Sequence, residues 1–165
     1  MNSRKNKRRE IIITSGTGEG PTTLAAFDAA LLHAGVSNYN LIYLSSIIPT
    51  GSDLVRAKFV SSDWEYGHRL YVVIARRDET RSGKVAWAGL GWTQEMTSGR
   101  GLFVELHGKN KTEVEQAIQD TLHSMMAGRS ISYGAIESEI VGIPCQDSPV
   151  CAVVVAVYRS EGWAT

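Results

Sequence analysis

Two stretches of this chain carry the apolar spacing of a packed helix, and seven short apolar runs around them read as strands. The order is strand, helix, strands, and then the same again, as in two β-α-β units placed back to back without a residue-level repeat. Strands outnumber helices and many follow one another directly, so mixed or antiparallel sheets are expected rather than a doubly wound parallel one. The first strand is Glu10 to Thr14, centred on Ile11, Ile12 and Ile13, and Ser15 to Pro21 reads as a glycine loop. The first helix runs from Thr22 to about Ala34, with Gly35 as its cap. Asn40 to Ile48 reads as one strand, broken by Pro49 and Gly51. Leu70 to Arg76, Val85 to Trp92 and Leu102 to His107 are further strands. The second helix starts at Thr112, where Glu115 three residues later completes a capping box. Val114, Ile118, Leu122, Met125 and Met126 make its apolar stripe. Gly128 ends it, and strands Ala135 to Ile143 and Cys151 to Tyr158 follow.

A chain of 165 residues suits a single domain and can bury about 68–70% of its unfolded surface without a metal or disulfide staple. Hydrophobic residues make up 43% and charged residues 21%, which excludes a disordered, collagen-like or coiled-coil chain. No apolar run, that ending Ala152 to Tyr158 included, approaches the roughly 20 residues a bilayer requires, so no membrane partner is expected. The 17 Lys+Arg balance 17 Asp+Glu, but unevenly. Arg4, Lys5, Lys7, Arg8 and Arg9 make residues 1–9 a basic tail, either solvated and flexible or a functional arm. That start lacks the apolar region of an export signal. After Glu10 the chain holds 12 bases and 16 acids, a net charge of −4, which favours a cationic ligand and argues against nucleic acid. Cys145 and Cys151 match no metal-ligand spacing and read as reduced thiols of a cytoplasmic protein.

Several residues carry chemical possibilities. Gly16, Gly18 and Gly20 lie between a strand and a helix, where an anion can bind. They fit neither GxGxxG nor a P-loop, so a tight turn wrapping at most a small ligand is the better reading. Asp28 shares a helical face with Leu24, Leu31 and Leu32. It either meets a structural cation, lies at a solvent edge, or receives a positively charged ligand. Ser45 and Ser46 stand together in an apolar strand before Pro49, by themselves an ordinary strand end whose hydroxyls bond to backbone. Glu105 alternates with Phe103 and His107 on one face of its strand, while Val104 and Leu106 take the other. It is either exposed beside a lysine or desolvated, and a desolvated carboxyl can hold a proton near neutral pH. His33, His68, His107 and His123 form no ligand pair, so no metal site is expected.

Taken in order, these features resemble the pyruvoyl-dependent arginine decarboxylases. The likeness extends from Ile11 to Tyr158 and is most specific in GTGEGPTTLAAFDAALLHAGVSNYNLIYLSSIIP, residues 16–49. That segment joins the glycine stretch, the Phe-Asp pair of the helix, the Asn before the strand and Ser-Ser-Ile. A second anchor is Gly101-Leu-Phe-Val-Glu105, leading through Gly108-Lys109 into the second helix. The resemblance implies an α+β fold, a four-layer α/β/β/α sandwich of the pyruvoyl-dependent histidine/arginine decarboxylase type, over residues 10–165. It also implies autocatalytic serinolysis between Ser45 and Ser46, into a β chain of residues 1–45 and an α chain of residues 46–165. Ser46 becomes a pyruvoyl cofactor, with neither metal nor pyridoxal phosphate. L-Arginine is then decarboxylated to agmatine and CO2 through a Schiff base, whose conjugated carbonyl accepts the electron pair left on Cα.

Residue by residue, Asp28 matches the carboxylate that holds the guanidinium, and the forked donors of that group suit a carboxylate. Glu105 matches the acid that returns a proton to Cα, and Asn40 a residue that positions the reacting group. Leu31 and the Ser37–Tyr39 loop match pocket lining, while Ser45 and Ile47 flank the pyruvoyl. The implied assembly is a homo-oligomer of αβ protomers, a trimer or a dimer of trimers. Its active sites lie between subunits, so that Asp28 and Glu105 around one pyruvoyl come from different protomers. Trp64, Trp87, Trp92 and Trp163 fit subunit contacts or core alike. Pro49-Thr50 stands where Pro-Pro is usual, Ser37 where Gly is usual, and the Cys145–Cys151 loop is a local insertion. None of these removes a residue assigned to the chemistry. The alternatives are an uncut, non-catalytic homologue serving as a binding subunit, a pyruvoyl decarboxylase of another amino acid, and an anion-binding module built on the glycine loop.

Overall fold

A computed structural model describes residues 8–164. The elements are β1 (Arg9–Glu19), α1 (Thr23–Ala34), β2 (Asn40–Tyr43), β3 (Ile47–Ile48), β4 (Ser52–Arg56), β5 (Arg69–Glu79), β6 (Val85–Gln94), β7 (Gly101–Gly108), α2 (Lys111–Ala127), β8 (Glu137–Pro144) and β9 (Val150–Glu161). Five strands in the order β2-β5-β9-β1-β4 form sheet A, and four in the order β3-β7-β6-β8 form sheet B. Within sheet A, β1 pairs with β4 and β2 with β5 in parallel, while β9 runs antiparallel to both its neighbours. Sheet B is antiparallel throughout.

Alternation along the strands decides the layers. On β9, Val150, Ala152, Val154, Ala156 and Tyr158 join the core between the sheets. Cys151, Val153, Val155 and Val157 pack under α1. Burial on both faces explains why this strand reads as an unbroken apolar run. Val114, Ile118 and Leu122 of α2 pack on Leu102 and Val104 of sheet B. The layers are therefore α/β/β/α, held by three apolar clusters in which each large buried side chain contributes about 1.5–3 kcal/mol. No helix among the described residues is long and apolar enough to cross a membrane.

Both expected β-α-β units exist, β1-α1-β2 within sheet A and β7-α2-β8 within sheet B, each joining strands that run parallel. They do not split the chain into halves. β3 leaves the first half for sheet B, and β9 from the end of the chain enters the middle of sheet A.

Of the expected loop, Ser15 to Glu19 is strand, and Gly20 and Pro21 belong to the short connection to α1. β1 continues to Glu19, and its glycines lie directly beneath α1. A Cβ on Gly18 would stand 2.3 Å from the Ala30 nitrogen, and one on Gly16 would stand 2.2 Å from the Ala30 carbonyl oxygen. The missing side chains let Ala26, Ala30 and Ala34 approach the strand, and they leave no open cradle for an anion. Gly35 does cap α1, at φ 86°, its N–H reaching the Leu31 and Leu32 carbonyls. The cap of α2 lies two residues before the expected Thr112–Glu115 box. Asn110 Oδ1 accepts the Glu113 N–H (2.8 Å), and Glu113 Oε2 accepts the Lys109 N–H (2.7 Å).

Residues 1–7 of the basic tail lie outside the described residues. Arg8 pairs with Asp53 at 2.8 Å and Arg9 opens β1, so the fold begins slightly before Glu10. Cys145 and Cys151 are free and buried in different clusters. Burial pushes both thiols up, Cys151 to about 12. Trp92 belongs to the core between the sheets, whereas Trp64 and Trp163 are exposed.

Candidate active site

The single strand expected over Asn40–Ile48 is a crossing between the two sheets. β2 ends at Tyr43, and the Leu44 N–H still donates to the Val72 carbonyl of sheet A (2.8 Å). By Ser46 the chain has reached sheet B, where the Phe103 N–H donates to the Ser46 carbonyl (2.8 Å). Stacked sheets lie about 10 Å apart, so the Ser45–Ser46 peptide bridges the gap between two anchored ends. Pro49 has no N–H to give a ladder, and β3 is accordingly only Ile47–Ile48, paired with Leu102 and Gly101. Ile48 is fully buried and fixes the far end, while Ile47 stays exposed.

β7 alternates as its sequence requires. Phe103 enters the core between the sheets, and Leu102 and Val104 face α2. Glu105 therefore points into the gap that the Ser45–Ser46 peptide crosses. Ser46 Oγ donates to Glu105 Oε1 at 2.6 Å, within the range of a hydroxyl bonded to a carboxylate. From β9, the Tyr158 hydroxyl donates to the Ile47 carbonyl at 2.8 Å and so fixes the residue after Ser46. Burial first, and then the Glu105 charge, push the Tyr158 phenol above its ordinary value, which keeps it a donor.

A cleft of about 490 Å³ opens beside this junction. Leu44, Ser45, Ile47, Tyr71 and Tyr158 line it, with Arg9 and Arg159 as its charged residues. That volume lies within the usual range for a small-molecule site. Among the described lining residues there is no carboxylate.

The other candidate residues collect on the α1 side. Asp28 is exposed on α1, and the neighbouring Leu24 and Leu32 are 72% and 64% exposed. Leu31 instead packs into the cluster under the helix, so the face expected to hold Asp28 with all three leucines is divided. Tyr39 is buried, and its hydroxyl donates to Glu65 Oε2 at 2.5 Å. Ser160 Oγ donates to the other Glu65 oxygen at 2.5 Å, and these two bonds, Ser160 first, hold the Glu65 carboxyl below its ordinary range. Asn40 donates its side-chain amide to the Gly67 carbonyl (2.8 Å). It sits at the opposite end of β2 from Tyr43, roughly 10 Å along an extended strand. Ser37 is half-buried between α1 and β2. One chain thus brings together Ser45, Ser46, Ile47 and Glu105, and leaves Asp28 and Leu31 behind sheet A. Sequence reasoning missed Tyr158, Tyr71, Arg9 and Arg159 at the cleft. The one available signal was that Tyr158 closes an apolar run with a hydroxyl.

Comparison with known proteins places the chain among relatives. A pyruvoyl-dependent arginine decarboxylase of Thermococcus kodakarensis is 30% identical over 150 residues, spanning 90% of this chain and 94% of that protein. One from Halobacterium salinarum is 40% identical over 95 residues, 58% of each. A solved structure of pyruvoyl-dependent histidine decarboxylase at pH 8 aligns with a TM-score of 0.42 at 13% identity, over 61% of this chain and 57% of that one. The sequence model of one family matches residues 10–161, from the second residue of β1 to the last of β9. With a match across both sheets and both helices, the chain belongs to the pyruvoyl-dependent arginine decarboxylase family.

Proposed function

We propose that this chain cuts itself between Ser45 and Ser46, converts Ser46 to a pyruvoyl group, and decarboxylates L-arginine to agmatine and CO2. The observation that carries this reading is the 2.6 Å contact of Ser46 Oγ with Glu105 Oε1, at a peptide drawn across the gap between two sheets. Glu105 takes the hydroxyl proton as Oγ adds to the Ser45 carbonyl carbon. The C–N bond then breaks, the proton passes to the nitrogen, and an ester joins the two serines. Loss of the Ser46 Cα proton breaks the Cβ–O bond and releases Ser45 as a carboxylate. The unsaturated residue left at position 46 takes up one water and releases one ammonia, which leaves the keto group.

The residues present fit that group. It is made from the atoms of Ser46 itself, the Phe103 N–H holds the carbonyl of residue 46, and Glu105 faces its side chain. Once formed, the pyruvoyl group supplies a conjugated carbonyl that draws off the electron pair as CO2 leaves Cα. Glu105 holds the proton that returns to Cα, and Tyr158 keeps Ile47, and with it residue 46, in place. Leu44 and Tyr71 keep water from the reacting carbon.

The guanidinium needs a carboxylate, and the cleft's own charged side chains, Arg9 and Arg159, repel it. Asp28 is exposed on α1 beside Leu24 and Leu32. A neighbouring copy that lays this helix against the cleft brings Asp28 to the substrate. It also covers Leu24, Leu32, Tyr43 and Ile47, all more than half exposed in one chain, an apolar surface that a lone chain leaves in water. The site accordingly lies between αβ protomers of a homo-oligomer, a closed ring such as a trimer or two stacked trimers. Leu31, Ser37, Tyr39 and Asn40 come with α1 and the loop behind it.

Intact mass spectrometry tests the reading. The wild type is expected as two chains, one ending at Ser45 and one beginning at residue 46 with a borohydride-reducible carbonyl. Ser46→Ala is expected as one uncut, inactive chain. A cut Ser46→Ala protein, or an uncut wild type that converts arginine to agmatine, sinks the proposal.

A further inference from the structure

The space between the sheets opens a second time beyond Glu105. Along β7 the face that carries Phe103 and Glu105 continues through His107 towards Lys109. From sheet A, the alternation that buries Val73 and Ala75 turns Arg77 and Glu79 into the same space. A cavity of about 300 Å³ lies there, lined by Arg77, Glu79, Arg81, Lys84, Val85 and Lys109. Glu79 is 5% exposed and fully engaged. Arg81 Nε and Nη2 donate to its two oxygens at 2.9 and 2.8 Å, and the Thr80 and Arg81 N–H groups add bonds of 3.0 and 2.9 Å. Arg81 above all pulls this carboxyl down to about 2, so the pair is ionised and cancels itself.

Three cations remain. Among the described residues no carboxylate lies within ion-pair distance of Arg77, Lys84 or Lys109. Glu113, in the first turn of α2, has one oxygen occupied by the Lys109 N–H. Arg77 Nε is buried without a hydrogen-bond partner, and Arg77 Nη1 reaches only His107 Nδ1, at 3.5 Å. A buried guanidinium N–H with no acceptor is a defect that folded proteins rarely keep. An acceptor in the cavity removes it.

We propose that this cavity binds a doubly charged oxyanion, a phosphate or a phosphate monoester, through Arg77, Lys84 and Lys109. Arginine contributes directed donors and the lysines contribute mobile point charges, the combination that suits a tetrahedral dianion. The setting singles the cavity out, since the chain after Glu10 carries a net charge of −4. The site shares no residue with the Ser46 cleft and does not depend on the decarboxylase reading.

Calorimetric titration of the full-length protein, at fixed ionic strength with chloride as control, tests it using inorganic phosphate and glycerol 3-phosphate as separate probes. One saturable site per chain is expected, with Kd at least tenfold weaker in Arg77→Gln and in Lys109→Gln. Lys111→Gln, whose lysine pairs with Glu115 outside the cavity, is expected to bind like the wild type. Lys109 is exposed, so its variant folds even if Arg77→Gln does not. A phosphate-dependent rise in Tm that is lost in Lys109→Gln gives a second readout. Tighter binding of the ester supports a site for a phosphorylated metabolite, and equal binding supports one for free phosphate. No saturable heat with either probe, or equal Kd in Lys109→Gln and wild type, overturns the proposal.

Discussion

In the proposed function, Glu105 serves two reactions that differ in how often they run. Cutting at Ser46 would happen once in the life of a chain, whereas decarboxylation would repeat at every turnover. In Glu105→Gln the side-chain oxygen still accepts the Ser46 hydroxyl hydrogen but cannot take up its proton. Loss of a general acid or base slows a step by about 10²–10⁴-fold. A cut slowed that much still finishes on long incubation, while steady-state CO2 release is expected to fall by ~10² or more. Gel electrophoresis over time follows the cut, and an agmatine assay follows turnover; normal turnover would remove Glu105 from the proton-donor role. The direction of Glu105 is legible in the sequence because alternation along β7 needs only its immediate neighbours. Tyr158 is not, since 111 residues separate it from Ile47 and no local pattern says which strand faces which. The outward turn of Asp28 also escapes the sequence. Helical spacing relates it to Leu24, Leu31 and Leu32, but the strand beneath decides which of those is buried.

At the scale of elements, packing overrides local propensity where the two conflict. A glycine-rich stretch after a strand reads as a loop because glycine weakens strands. Here the helix above makes it a strand, since only a side chain no larger than hydrogen lets the alanine face of α1 come so close. Gly18→Ala places a methyl 2.3 Å from the Ala30 nitrogen, and α1 must move away. Overpacking of this kind costs about 1–3 kcal/mol. It should appear as a lower urea midpoint with an unchanged slope. Gly128→Ala is the control, because φ is −79° there and its new Cβ meets nothing nearer than 3.8 Å. Equal losses in the two variants would refute the close-packing account. The same conflict shifts the start of α2. Asn110–Glu113 and Thr112–Glu115 have the same spacing, and only the extended backbone of Asn110, at φ −150° and ψ 165°, selects the first. The division of Asn40–Ile48 into β2 and β3 has a related cause, since an apolar run is continuous in sequence even where it changes sheets.

At the scale of the whole molecule, acid sensitivity and the proposed assembly both turn on where carboxylates stand. Arg81 holds Glu79 down to about 2, Ser160 and Tyr39 hold Glu65 down, and Ser98 with Arg100 does the same for Glu95. A carboxyl lowered in the folded state binds fewer protons there than in the unfolded chain, so it stabilises the fold above its ordinary value and loses that effect as pH falls. Tm is therefore expected to drop between about pH 4.5 and about pH 2, less steeply in Glu79→Gln, with thermal melts across that range as the check. The proposed site between protomers rests on a different carboxylate. If Asp28 serves the cleft of a neighbouring copy, Asp28→Asn chains are cut normally but bind arginine poorly, and Ser46→Ala chains stay uncut but keep Asp28. Each is expected to be nearly inactive alone. Refolded together at equal amounts, about a quarter of the interfaces pair a matured Ser46 cleft with an intact Asp28, so roughly a quarter of wild-type activity returns. If both residues served the cleft of their own chain, every chain in the mixture would still lack one of them. Mixtures no more active than the separate variants would therefore place Asp28 outside the shared site.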